Sequence, residues 1–252
     1  MSQVVITGGG RGLGRATALK FAARGHNVAI TYQSNKQAAA RVVDEILEMG
    51  TEAFAVQMDV GVQSDIDRGF DEIEGRVNQI EYLFNNAGII NGLAEMHDQS
   101  WTSWERIFAV DVIGQWYCAK RAAAHMIGNG IGGAILYCAS ISGVMTFPMA
   151  TDYAAAKHAV VGMAKGQALE CAQHGIRINT LCPGFLKTDM YEENFAAATE
   201  TLTNDMIPAS RIAGPEEIAD LAYWVLVDGT YCYGSVLVAD GGILAGPKHQ
   251  PV

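Results

Sequence analysis

Tyr153 and Lys157 stand four residues apart in Tyr153-Ala154-Ala155-Ala156-Lys157, and on a helix positions i and i+4 share a face. A lysine held beside a phenol lowers a pKa that starts at about 10. Such a phenol is a usable acid or base for carbonyl/alcohol interconversion, in which hydride transfer leaves an alkoxide that needs a proton. Ser140, 13 residues upstream of Tyr153, offers a hydroxyl that could polarise the same oxygen, with Ser142 as the alternative serine. The same Tyr/Lys spacing recurs at Tyr32 and Lys36, but there the lysine lies beyond a strand, where a solvated surface residue is the plain reading. Taken singly, Ser140 could be a turn residue and Tyr153 a helix-start aromatic. Their complementary roles with Lys157 favour chemistry.

A hydride needs a carrier, and the start of the chain has the features of a dinucleotide site. Thr7-Gly8-Gly9-Gly10-Arg11-Gly12-Leu13-Gly14 follows an apolar run and opens a helical pattern. Glycines in that context let the backbone approach a pyrophosphate at a helix N-terminus. The cofactor-binding candidates here are Gly8, Gly10, Arg11, Gly12, Leu13 and Gly14. The spacing is TGxxxGxG; no register satisfies GxGxxG, and Arg15-Ala16 stands where a Walker A turn has its Lys and Ser/Thr, so an ATPase is not supported. An acid after the second strand would bind both ribose hydroxyls and repel a 2′-phosphate. Here the strand ends Ile30-Thr31-Tyr32-Gln33-Ser34-Asn35-Lys36. Without that acid, and with Arg11, Tyr32 and Gln33 nearby, NADP(H) is favoured over NAD(H), which stays possible.

The elements that must position these groups alternate along the chain. Short β-branched runs at 4–7, 27–31, 53–57, 82–85, 133–138, 177–181 and 235–238 interleave with helical patterns near 13–24, 36–49, 64–78, 102–127, 153–173 and 215–227. This predicts an α/β fold: a doubly wound, Rossmann-like parallel sheet of seven strands with helices on both faces. No linker or repeat divides the 252 residues, so 1–252 reads as a single dinucleotide-binding and catalytic domain. The stretch 185–210, outside the rhythm and weakly helical over 194–202, is a candidate substrate loop or lid.

Composition narrows the function classes. Lys plus Arg number 17 against 27 Asp plus Glu, a formal net charge of -10, which argues against a nucleic-acid partner. No apolar run approaches the roughly 20 residues of a membrane helix. Met1-Ser2-Gln3 leads straight into Val4-Val5-Ile6 without a signal-like region, and the expected location is cytoplasmic. Cys118, Cys138, Cys171, Cys182 and Cys232 lack paired spacing and read as reduced thiols. His26, His97, His125, His158, His174 and His249 show no metal spacing, and no metal is expected.

Together these residues resemble the short-chain dehydrogenase/reductase family from Val4 to Gly242. The likeness rests on Thr7 to Gly14, Asp59-Val60, Asn85-Asn86-Ala87-Gly88, Ser140, Tyr153 with Lys157, Asn179, Pro183-Gly184-Phe185-Leu186-Lys187-Thr188-Asp189-Met190 and Asp240-Gly241-Gly242. The resemblance implies that Tyr153 is the general acid or base, that Ser140 orients the substrate oxygen, and that Lys157 holds the nicotinamide ribose and depresses the tyrosine pKa. It implies that Asp59, with Val60, meets the adenine and that Asn86, Ala87 and Gly88 line the cofactor. It also places Pro183, Gly184, Leu186 and Thr188 at the nicotinamide. In detail the motifs are most similar to carrier-protein 3-oxoacyl reductases and related NADP(H)-dependent ketone reductases. One position departs: Asp111, in Asp111-Val112-Ile113-Gly114, stands where the family usually has a catalytic Asn. An ionised Asp only accepts hydrogen bonds, and beside Lys157 it would offset the lysine's effect on Tyr153 and move the pH optimum upward.

The expected activity is thus hydride transfer between NADP(H) and the carbonyl or secondary alcohol of a small apolar substrate, ketone reduction being favoured. An NAD-dependent secondary-alcohol dehydrogenase and a non-catalytic dinucleotide sensor stay open as alternatives. Met145, Phe147, Met149, Met190, Tyr191 and Phe195 suggest the apolar substrate. Trp101, Trp104, Trp116 and Tyr117 suggest a packing face that, with the helix at Tyr153, could form a homo-oligomer, and the resemblance extends this from dimer to tetramer.

Overall fold

The computed structural model describes residues 2–248; His249, assigned above to a non-metal role, lies outside them. Seven strands form one sheet in the order β3-β2-β1-β4-β5-β6-β7. They are β1 (Gln3–Ile6), β2 (Asn27–Tyr32), β3 (Ala53–Gln57), β4 (Tyr82–Asn85), β5 (Gly133–Cys138), β6 (Ile176–Pro183) and β7 (Val236–Ala239). Every pairing is parallel, with Val5 opposite Ala29 on one side and Leu83 on the other. The strand order reverses between β1 and β4, the switch point at which such sheets open a crevice beyond their carboxyl ends.

The central strands read as unbroken apolar runs because both faces are covered. Val5 points into one core with Phe70, Ala119 and Val160, from α3 (Gln63–Glu74), α5 (Gln115–Gly128) and α6 (Thr151–Cys171). Val4 and Ile6 point the other way, onto Phe21, Ile46 and Leu226, from α1 (Gly12–Ala23), α2 (Lys36–Glu48) and α9 (Pro215–Val227). The turn residues act as their chemistry requires. Gly25 and Gly50 end α1 and α2 with φ of +80° and +83°, and Glu217 reaches back to the Gly214 N–H at 2.8 Å to cap α9, with Pro215 at the first turn.

Two regions differ from the sequence expectation. The single helix expected over 102–127 is α4 (Trp101–Ile107), a π-helical turn over Phe108–Gly114, and then α5. Its cause is a close approach: a Cβ on Gly114 would lie 2.0 Å from the Val60 carbonyl oxygen, so helix and β3–α3 connection touch backbone to backbone, and the turn widens to fit. The second region is 185–210, where the expected weak helix over 194–202 is replaced by α7 (Asp189–Phe195), a 3-10 turn, the short α8 (Thr199–Thr201) and another π turn over Leu202–Met206. Tyr191, Leu202, Ile207 and Ile212 give this excursion a small core of its own.

Candidate active site

The crevice beyond the carboxyl ends of the strands is a cleft of about 570 Å³. At one end lies the turn between β1 and α1. Gly8 and Gly12 adopt φ of +66° and +53°, a left-handed region that favours glycine. The turn is pinned to β2 by the Gly9 N–H on the Thr31 carbonyl at 3.0 Å, and a Cβ on Gly14 would meet the Gly8 carbonyl oxygen at 2.3 Å. Arg11, the residue before α1, caps nothing with its side chain. The first intrahelical bond runs from the Arg15 N–H to the Arg11 carbonyl, which leaves the N–H groups of Gly12, Leu13 and Gly14 free of helical partners. Asn86 holds the turn from the β4 side, its amide donating to the Thr7 carbonyl at 2.9 Å. An anion-accepting backbone beside a glycine cradle fits a dinucleotide.

At the other end, α6 presents Tyr153 and Lys157 one turn apart, with Lys157 Nζ 5.4 Å from the centre of the Tyr153 ring. Ser140 follows β5 and lines the same cleft as Tyr153. The Ser140 Oγ accepts the Ser142 N–H at 3.1 Å. Lys157 Nζ donates to the Cys138 carbonyl at 3.2 Å and forms an ion pair with Asp111 Oδ2 at 2.9 Å. Asp111, in the π turn, is wholly buried and Lys157 is 3% exposed, while Asp111 Oδ1 accepts the Ile89 N–H at 2.9 Å. Gly88 makes room for this pair: a Cβ there would sit 3.1 Å from Asp111 Oδ2 and 3.2 Å from Lys157 Nζ.

A family model described as enoyl-(acyl carrier protein) reductase matches residues 8–244. The chain belongs to the short-chain dehydrogenase/reductase family. It is similar to 3beta-hydroxysteroid dehydrogenase 1 of Eggerthella lenta, at 36% identity over 98% of this chain and 95% of the relative. Among solved structures it resembles an acetoin dehydrogenase from Enterobacter cloacae, at 33% identity and a TM-score of 0.89 over 100% and 99% of the two chains. A short-chain dehydrogenase/reductase from Mycobacterium marinum gives 31% identity and a TM-score of 0.92 over 97% and 96%. As a member of this family the protein is an NAD(P)-dependent oxidoreductase.

In this short-chain dehydrogenase/reductase the cleft brings together nearly all the residues singled out by sequence. Gly8, Gly10, Arg11, Gly12 and Leu13 line it, as do Tyr32, Gln33, Asp59 and Val60, then Asn86, Ala87 and Gly88, then Ser140, Tyr153 and Lys157. Pro183, Gly184, Leu186 and Thr188 close it from the β6 side. Gly14 and Asp111 do not line it: the first packs beneath the turn and the second lies behind Lys157. Phe147, Met190, Tyr191 and Phe195 line the far end, whereas Met145 and Met149 do not. Tyr32 reaches the cleft but Lys36 is an exposed first residue of α2. Several lining residues escaped sequence reasoning, Arg106 and Leu93 among them. Arg106 of α4 pairs with Asp59 at 3.0 Å across 47 residues of chain, a contact without a local spacing signal.

The electrostatics follow from burial and pairing. Burial pushes the Tyr153 phenol up from its ordinary value; the Lys157 ammonium pulls it back and the Asp111 carboxylate pushes it up again. Burial lowers Lys157, and the Asp111 carboxylate more than offsets it, so the ammonium lies above the ordinary lysine range. Asp59 lies below the usual carboxylate range, since the raising effect of burial is outweighed by hydrogen bonds from the Gly61 N–H, Gln33 and Arg106. All five cysteines are free. Among the described residues no group of three or more His, Cys, Asp or Glu could hold a metal ion, and no helix is long and apolar enough to cross a membrane.

Proposed function

We propose that this protein is an NADP(H)-dependent carbonyl reductase acting on a small apolar ketone, with Tyr153 as general acid. The observation that carries the reading is the meeting, in one cleft, of the glycine turn at Gly8 to Leu13 and the Ser140/Tyr153/Lys157 constellation. When bound, NADP(H) supplies the hydride. The free N–H groups at the start of α1 would hold its pyrophosphate, Asp59 and Val60 its adenine, and Lys157 its nicotinamide ribose, with Leu186 and Thr188 beside the carboxamide. Ser140 would orient the substrate oxygen and Tyr153 would donate the proton that turns the nascent alkoxide into an alcohol. Lys157, close to the phenol ring, opposes the raising effect of burial on Tyr153, which favours proton donation.

Support for the phosphorylated cofactor comes from the end of β2, where Tyr32 and Gln33 stand in place of an acid. The Arg11 guanidinium, on the rim of the same cleft, is exposed and loosely paired with Asp189 at 3.4 Å. It is therefore free to exchange that partner for a 2′-phosphate. The names of relatives that act on secondary alcohols, the steroid and acetoin dehydrogenases among them, support a carbonyl/secondary-alcohol substrate. The cytoplasm is the proposed location and 1–252 the proposed single domain. Binding titrations with NADPH and NADH test the reading. NADPH should bind at least about tenfold more tightly, a margin of about 1.4 kcal/mol, and Arg11→Ala should abolish that margin by weakening NADPH. Preference for NADH would instead favour an NAD-dependent alcohol dehydrogenase.

A further inference from the structure

We propose that the far end of the cleft selects an uncharged, ring-bearing ketone or secondary alcohol over open-chain and anionic ones; the inference rests on the carbonyl-reductase reading. Four aromatic rings from three separate elements converge there. Phe147 comes from the connection between the 3-10 turn at Ile141–Gly143 and α6, Phe185 from the chain just past β6, and Tyr191 and Phe195 from one face of α7. Phe185 is the hub. Its ring centre lies 5.9 Å from Phe147, 6.2 Å from Tyr191 and 5.3 Å from Phe195, the last two edge-to-face. Tyr191 and Phe195 are themselves near-parallel, at 29° and 6.2 Å.

The polar atoms of this wall are already engaged. The Tyr191 hydroxyl bonds with Thr199 Oγ1 at 2.6 Å, so the cleft meets its ring and not its oxygen. The Asp152 carboxylate beside Tyr153 accepts the Ser103 hydroxyl at 2.7 Å and the Tyr153 N–H at 2.8 Å. Of the cationic side chains that line the cleft among the described residues, Lys157 is paired with Asp111 and Arg106 with Asp59, while Arg11 lies at the glycine turn, at the other end of the cleft. A substrate carboxylate or phosphate at the aromatic end would be desolvated without a partner. A planar or puckered ring, in contrast, meets ring faces and edges set at several angles, which attract it through area and quadrupole together. A flexible chain of equal apolar area would lose rotor freedom on the same surface. Ser140 and Tyr153 remain the polar anchors for the substrate, and they fix only its reacting oxygen.

The test compares 2-tetralone with 2-decanone, which matches its carbon count without a ring, with butane-2,3-dione, and with 4-oxocyclohexanecarboxylate, which keeps a ring and adds a charge. In NADPH-oxidation assays 2-tetralone should be reduced with a specificity constant, kcat/KM, at least about tenfold above that for each of the others. Phe195→Ala, and the milder Phe195→Leu should the first fail to fold, should shrink the tetralone/decanone ratio at least about fivefold, mainly through a higher KM for the tetralone. Calorimetric titration of the four ketones into Tyr153→Phe with NADPH present reads binding without turnover and should give the same order. Equal or stronger binding of 2-decanone, the dione or the carboxylate overturns the proposal, as does a ratio that Phe195 variants leave untouched. Failure to turn over any ketone, with ring-selective binding intact, overturns the carbonyl-reductase reading alone.

Discussion

Asp111 and Lys157 form a buried ion pair beside the Tyr153 phenol, and on the proposed reading this pair sets how readily Tyr153 exchanges its proton. Burial and the Asp111 carboxylate raise the phenol, with Lys157 opposing them. The protonated form needed for reduction therefore persists to higher pH, and the phenolate needed for alcohol oxidation appears only on the alkaline side. Asp111→Asn removes the raising carboxylate, so the phenol should ionise at lower pH. In pH profiles of kcat/KM for both directions, the alkaline fall of reduction and the rise of oxidation should move to lower pH together. Profiles that stay in place would show that the carboxylate does not act on Tyr153. Asp111→Ala is harsher, because it strands a buried ammonium, and should lower stability by on the order of 3–5 kcal/mol in a denaturant titration. At this scale the sequence was informative: Tyr153, Lys157 and Ser140 carry their spacing in the chain, and Asp111 stood out against the family pattern. The 2.9 Å pairing itself was not legible, since it depends on where the π turn sets Asp111.

That π turn is the element on which the site's geometry rests. The sequence supports one long helix over 102–127 because the apolar periodicity continues through it, and periodicity does not record a contact with Val60, more than 50 residues away in the chain. Gly114→Ala would push a methyl group to 2.0 Å from the Val60 carbonyl. We expect it to cost about 1–3 kcal/mol of stability through overpacking and to lower kcat by displacing Asp111 from Lys157; thermal melts and steady-state kinetics read the two effects. A variant with unchanged melting and kcat would mean that the π turn does not hold Asp111 in place. The glycine turn after β1 was legible for the opposite reason, as its positive φ values and its free helix N-terminus lie within eight consecutive residues. The excursion at 185–210 was legible in place but not in form. Its short helices are held by a local core around Tyr191 and Leu202 rather than by a periodic face.

On the scale of the whole molecule, alternating strands and helices predicted the seven-stranded parallel sheet well, because the central strands are buried on both faces and several helices carry end signals such as Gly25, Gly50 and Pro215. We propose that the chain self-assembles through exposed apolar surface. Trp116 on α5 is 41% exposed and Leu169 on α6 is 83% exposed, and among the described residues β7 is the last strand of the sheet, carrying Val238 and neighbouring the half-exposed Tyr233. Such surface calls for a partner, and light scattering should give a multiple of the 26.9 kDa chain mass. A double change, Trp116→Glu with Leu169→Glu, should lower that mass; a monomeric parent protein would contradict the expectation. The central claim is that Tyr153 transfers a proton during NADPH-dependent ketone reduction, and one comparison tests it directly. NADPH consumption with 2-tetralone should fall at least about a thousandfold in Tyr153→Phe, more than a lost general acid alone at the low end of its range, while calorimetric NADPH affinity stays within about twofold, far less than a tenfold step of 1.4 kcal/mol. Undiminished turnover in Tyr153→Phe would contradict the account.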